Sequence, residues 1–135
     1  MVLFAWCDDY AMRIPSIDAQ HRGLVDMLNS LHNGMLEGTG QEQLGPLLRG
    51  LIDYAGSHFE HEEQLFAQYQ YPQAERHTQE HRELTQKVLE FKDKLESGQA
   101  RITVELMIFL KDWLIHHILG SDKAYSKHLI ERGAR

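Results

Sequence analysis

The chain has a single cysteine, Cys7, which excludes an intrachain disulfide framework and a thiolate cluster for zinc or iron-sulfur. It has no run of Lys or Arg, and 14 basic against 20 acidic residues leave a net charge of -6. That balance argues against nucleic acid and anionic membranes as partners. No apolar run approaches the roughly 20 residues that span a bilayer, so membrane insertion is not expected. The opening residues, Met1 to Cys7, lack a basic start and are soon broken by Asp8 and Asp9, which makes a poor signal peptide and points to the cytoplasm. An apolar content of 42% over 135 residues suits one domain with a packed core. What the chain does have in excess is histidine, at positions 21, 32, 58, 61, 77, 81, 116, 117 and 128.

Residues 1–16 show no helical period and contain Pro15, which disfavours helix at the residue before it. They read as an extended arm anchored by Trp6 and Tyr10. Apolar residues then recur at helical spacing in four stretches, about 17–37, 41–70, 73–96 and 103–131, and none alternates as a strand would. The first, with Ser16 or Asp18 as N-cap, lines up Ile17, His21, Leu24, Val25, Leu28, Leu31 and Met35 before Gly38-Thr39-Gly40. Thr39 to Glu42 read as a capping box for the second, with Gly45-Pro46 as a competing start. Its stripe runs Leu44, Leu47, Leu48, Leu51, Ala55, His58, Glu62, Leu65, Phe66 and Tyr69, and Tyr71-Pro72 ends it. The third carries Ala74, His77, His81, Leu84, Val88, Phe91 and Leu95 and closes at Ser97-Gly98. Thr103 caps the fourth, with core positions Leu106, Phe109, Leu110, Trp113, Leu114, His117, Ala124 and Leu129. Long helices joined by short connections pack as antiparallel neighbours. The expected fold is therefore all-α, one domain over 1–135: an up-down-up-down four-helix bundle with an N-terminal arm.

Polar residues on those core faces need an account. A helix stacks residues four apart, so His58 with Glu62, and His77 with His81, share buried faces. An ionised Glu is almost never buried unpaired, so His58 and Glu62 either neutralise each other or hold a metal. His21 lies early in the first helix, His58 late in the second, His77 early in the third and His117 past the middle of the fourth. Antiparallel winding brings all four towards one end of the bundle. Asp122 follows His117 by five residues, a step of about 140° past one revolution. On a regular helix it is a solvated surface residue, and only a local distortion would turn it inward. His61 and His116 should point about 100° or more away from their neighbours; with His32 and His128 they read as surface residues or as groups behind the ligands. Glu63 reads as solvated, and Met12, Met27, Met35 and Met107 as ordinary packing.

Together, Ile17-Asp18-Ala19-Gln20-His21, His58-x-x-x-Glu62, His77-x-x-x-His81 and Trp113-Leu114-Ile115-His116-His117-x-x-x-x-Asp122, with Tyr71-Pro72 before the third helix, resemble the hemerythrins of the single-domain bacterial type. The resemblance covers nearly the whole chain. It implies a non-haem centre of two iron ions held by five histidines, two bridging carboxylates (Glu62 and Asp122) and a bridging oxo or hydroxo group. By the same resemblance, His77, His81 and His117 bind one iron, and His21 and His58 the other. Three histidines with three bridges make six ligands and two histidines with three bridges make five, so one iron keeps an open position for O2. Di-iron carboxylate bundles place Glu-x-x-His on two helices; that motif is absent here, and only Asp18-x-x-His21 comes near. Five neutral imidazoles leave two ferrous ions, two carboxylates and a hydroxide with a single positive charge. Charge and resemblance together favour reversible O2 binding over oxygen activation. Leu114, Trp113, Phe59 and Leu24 or Leu28 are expected to form an apolar wall at the open position, where low dielectric makes loss of superoxide costly.

The function expected is therefore non-enzymatic: a monomer that stores or buffers oxygen or delivers it to an oxygen-using enzyme, with room for a minor peroxidase-like activity. A di-iron redox enzyme, a peroxidase or a handler of nitric oxide, would need an acid or base at the open iron. Iron storage would show labile metal. A metal-free structural bundle would keep its stability on chelation. Iron rather than zinc or manganese rests on the resemblance, because mixed imidazole and carboxylate ligands suit several metals.

Overall fold

The computed structural model describes residues 3–38, 40–99 and 101–134, with Gln41 described by its backbone alone. Helix α1 spans Pro15–Leu36, α2 Gln41–Gln68 and α3 Ala74–Glu96. The fourth helix is in two parts, α4 (Val104–His117) and α5 (Lys123–Glu131), joined by a π turn at Ile118–Asp122. The connections 37–40, 69–73 and 97–103 are short, α1 packs on α2 and α4, and α2 packs on α3. The result is the expected four-helix bundle, with no strand among the described residues.

Local chemistry sets the boundaries. Helix α1 begins on Pro15 with Ile14 as N-cap, a position where the missing N–H forfeits no helical bond. Neither Ser16 nor Asp18 caps it. Asp18 instead accepts the backbone N–H groups of Met12 at 2.6 Å and Arg13 at 3.2 Å, holding Arg13 at a φ of 62°. Gly38 (φ 80°) and Gly98 (φ 81°) end α1 and α3 in the left-handed conformation that a glycine adopts without strain. Thr39, the first residue of the expected capping box, lies outside the described residues; Gly40 is the N-cap of α2 and offers no side-chain cap. Helix α2 runs through Pro46 rather than starting there. Thr103 caps α4, its hydroxyl accepting the Leu106 N–H at 3.3 Å.

Three details of the expected core are corrected. The arm is anchored by Phe4 and Met12, both buried, while Trp6 and Tyr10 are half-buried against the core and Asp8–Tyr10 form a short 3-10 turn. The Asn29 side chain fixes Phe4 by accepting its N–H and donating to its carbonyl. Leu47 and Phe109 are exposed. Leu47 sits on the flank of its stripe, about 60° from Leu44, and Phe109 lies about 140° from Leu114. Met107, seven residues before Leu114, shares its face and is wholly buried. Ala124 is exposed and Tyr125 is wholly buried in its place, because the π turn adds a residue and advances the inward face by one.

Candidate metal centre

The π turn decides the position of Asp122. An i→i+5 turn is one residue wider than an α turn, so the fifth residue from His117 comes back over it, and Asp122 is fully buried. The local distortion left open by the sequence is thus present, and the surface reading of Asp122 does not hold. His21 from α1, His58 and Glu62 from α2, His77 and His81 from α3, and His117 from α4 converge with it; none is more than 6% exposed.

The seven side chains form two groups. Glu62, His77, His81, His117 and Asp122 make one, and His21, His58 and Glu62 the other. Asp122 links them: its Oδ1 is 3.0 Å from His77 Nε2 and 3.1 Å from His117 Nε2, and its Oδ2 is 3.1 Å from His21 Nε2. Glu62 Oε1 lies 3.0 Å from His58 Nε2 and 3.4 Å from His81 Nε2. Yet both oxygens of each carboxylate, His77 Nε2 and both His21 ring nitrogens are buried without a well-directed hydrogen bond. His81 Nε2 and His117 Nε2 stand 3.1 Å apart, about the spacing of two donors at right angles and about 2.1 Å from one metal ion. The residues fit two cations sharing two carboxylates.

Electrostatics agree. Burial and the Asp122 charge push the Glu62 carboxyl up, but the His58 charge and the imidazole contacts of His58 and His81 outweigh them and pull it down to about 2. Burial likewise raises Asp122, and His117 above all, with His21 and His77, holds it well below the usual carboxylate range. Two ionised carboxylates in a dry interior cost several kcal/mol each unless compensated. A bound metal ion supplies that compensation, at about 10 kcal/mol or more for a structural site.

The second nitrogens of three rings also have partners, which makes their inward Nε2 atoms free to ligate. His58 Nδ1–H donates to Gln20 Oε1 at 2.6 Å and His81 Nδ1–H to Glu63 Oε2 at 3.2 Å, while His117 Nδ1 lies 3.2 Å from Glu80 Oε2 as an ion-pair contact. Ser121 Oγ–H donates to the same Glu80 oxygen at 2.6 Å. Glu63 is therefore not merely solvated. Gln20, Glu80 and Ser121 went unassigned from the sequence because each pairing crosses helices, although Gln20 and Glu80 directly precede histidines of the cluster. The remaining histidines stay outside the cluster. His128 bonds the Tyr69 carbonyl, His116 the Asp112 carbonyl and His61 the Ser16 hydroxyl, while His32 is buried in α1 rather than at the surface.

Beside the cluster is a cavity of about 70 Å³ whose wall is apolar throughout. All five residues expected around an open position, Leu114, Trp113, Phe59, Leu24 and Leu28, line it. Phe59 also stacks on the His81 ring at 3.9 Å and Trp113 on His117 at 4.4 Å, so the wall and the ligand set are one packed unit. The volume exceeds what one water needs, but its apolar lining offers water no partner.

Residues 12–129 match the family model described as the hemerythrin HHE cation binding domain. A bacteriohemerythrin of Stenotrophomonas maltophilia is 35% identical over 126 residues, covering 93% of this chain and 81% of that one. A bacteriohemerythrin of Methylococcus capsulatus is 32% identical over 126 residues, covering 93% and 95%. The crystal structure of a wild-type hemerythrin superposes with a TM-score of 0.90 at 30% identity, covering 95% of this chain and 98% of the other. With a fold, a buried cation-binding cluster and a sequence that agree over nearly its whole length, the chain belongs to the hemerythrin family.

Proposed function

We propose that this protein binds O2 reversibly at a centre of two iron ions, and so stores or buffers oxygen or delivers it to an oxygen-using enzyme. His77, His81 and His117 would hold one ion, His21 and His58 the other, with Glu62 and Asp122 shared. The observation that carries the reading is the unequal division of five imidazoles around two shared carboxylates, next to an apolar cavity with room for a diatomic ligand. Two ferrous ions, when bound, would supply the reducing equivalents and the open coordination position that O2 needs.

The chain's own residues do the rest. Gln20 and Glu63 orient imidazoles by accepting their Nδ1–H groups, and Glu80 faces the His117 Nδ1 at 3.2 Å. The apolar wall excludes water and disfavours escape of a charged oxygen species, because separating charge in low dielectric is costly. No titratable side chain lines the cavity, which supports binding over catalysis: a redox enzyme would need an acid or base there.

The test is the visible spectrum of anaerobically reduced, iron-loaded protein before oxygen, after oxygen and after its removal. Colour that appears and bleaches through repeated cycles supports the reading. Irreversible decay, or iron turnover without colour, moves the function to a redox enzyme or an iron store.

A further inference from the structure

The hydrogen bonds behind the imidazoles are distributed unequally. In the three-histidine group, His81 donates Nδ1–H to the Glu63 carboxylate at 3.2 Å, and His117 Nδ1 faces the Glu80 carboxylate at 3.2 Å. In the two-histidine group, His58 donates to the neutral amide of Gln20 at 2.6 Å, and His21 Nδ1 is buried with no hydrogen-bond partner among the described residues. Both negative charges therefore stand behind one group. A carboxylate that accepts a ligand's ring N–H raises the basicity of the nitrogen facing the metal, and a neutral amide does so less.

We propose that Glu63 and Glu80 are positioning residues that make the three-histidine position the electron-richer of the two, holding its ion more tightly and lowering the centre's reduction potential. The inference rests on the di-iron reading above. Glu80 is itself held, since Ser121 donates to the same oxygen that faces His117 Nδ1. Ser121 lies in the π turn beside Asp122, so one backbone feature both turns a bridging carboxylate inward and fixes the acceptor behind a ligand on the same ion. Both glutamates are about one third exposed, so solvent screens part of their field and their substitution opens no cavity.

The experiment compares iron-loaded wild type with Glu63→Gln, Glu80→Gln, Gln20→Glu and, as a charge control, the exposed Glu83→Gln. Two quantities are read: the midpoint potential of the iron couple, and the rate at which a chelator strips iron from the reduced protein. Glu63→Gln and Glu80→Gln should each raise the potential and weaken iron retention about 10- to 100-fold. Glu83→Gln should match wild type. Gln20→Glu should lower the potential, and it tests the claim with the opposite sign should either glutamine variant fold poorly. Potentials and retention in Glu63→Gln and Glu80→Gln equal to those of Glu83→Gln overturn the inference while leaving the di-iron reading standing. Wild-type protein that takes up fewer than two iron ions overturns both.

Discussion

Asp122 and Glu62 are each shared between two groups of imidazoles, so removing one carboxylate should cost metal rather than fold. Asp122→Asn keeps the shape but removes a charge from the cluster; bound metal, measured by atomic absorption, should fall to half the wild-type content or less. The metal-free variant should fold but melt below metal-free wild type, since His21, His77 and His117 lose the carboxylate they face. The wall behaves differently. Leu28 is 2% exposed and lines the apolar cavity, so Leu28→Ala enlarges a void and should destabilise the protein by about 2–5 kcal/mol in denaturant titration.

Among the elements, the π turn has the largest consequence. Its one extra residue sets the phase of everything after His117 and accounts for both the inward Asp122 and the exchange of Ala124 for Tyr125 in the core. Deleting Gly120 would convert the segment to regular α-helix. Asp122 would then follow His117 by four residues and remain on its face, so folding and metal content should survive. Inserting one alanine after Gly120 turns Asp122 about 100° away and should abolish metal binding; helical content by circular dichroism and metal analysis distinguish the two. The entry to α1 depends on a smaller device. Asp18 accepts two backbone N–H groups from the arm, and Asp18→Ala should lower stability by about 1–3 kcal/mol, read from equilibrium unfolding, without loss of metal. The near-match Asp18-x-x-His21 is therefore an arm clamp rather than part of the ligand set.

For the whole molecule, metal and fold are linked. An ion that binds only the native chain stabilises it by about 2.7 kcal/mol when its free concentration is a hundredfold above Kd, so chelation should lower the melting temperature. The effect should depend on pH. Burial pushes the His117 pKa down and Asp122, with Glu62 and Glu80, pushes it up by more, so the folded value is raised. In the metal-free chain that pairing stabilises below the ordinary histidine pKa and is lost as pH rises through the folded value. In the loaded protein the imidazole must be neutral to ligate, so metal-linked stability is full at alkaline pH and disappears as pH falls. Melting temperatures of the two forms should diverge most above neutrality and converge in acid.

Periodicity of apolar residues was enough to determine the helices and their inward histidines, because a stripe that must leave water allows one packing face and short connections allow one winding. His58 with Glu62 and His77 with His81 were legible for that reason: residues four apart on a regular helix share a face whatever surrounds them. Asp122 was not legible from spacing, since its place depends on a break in helical phase that widens the turn under the constraint of the other six side chains. The partnerships of Gln20, Glu63 and Glu80, and the substitution of Tyr125 for Ala124, likewise waited on the tertiary structure. Contacts between helices depend on how far apart and at what rotation the elements settle, and only packing decides that.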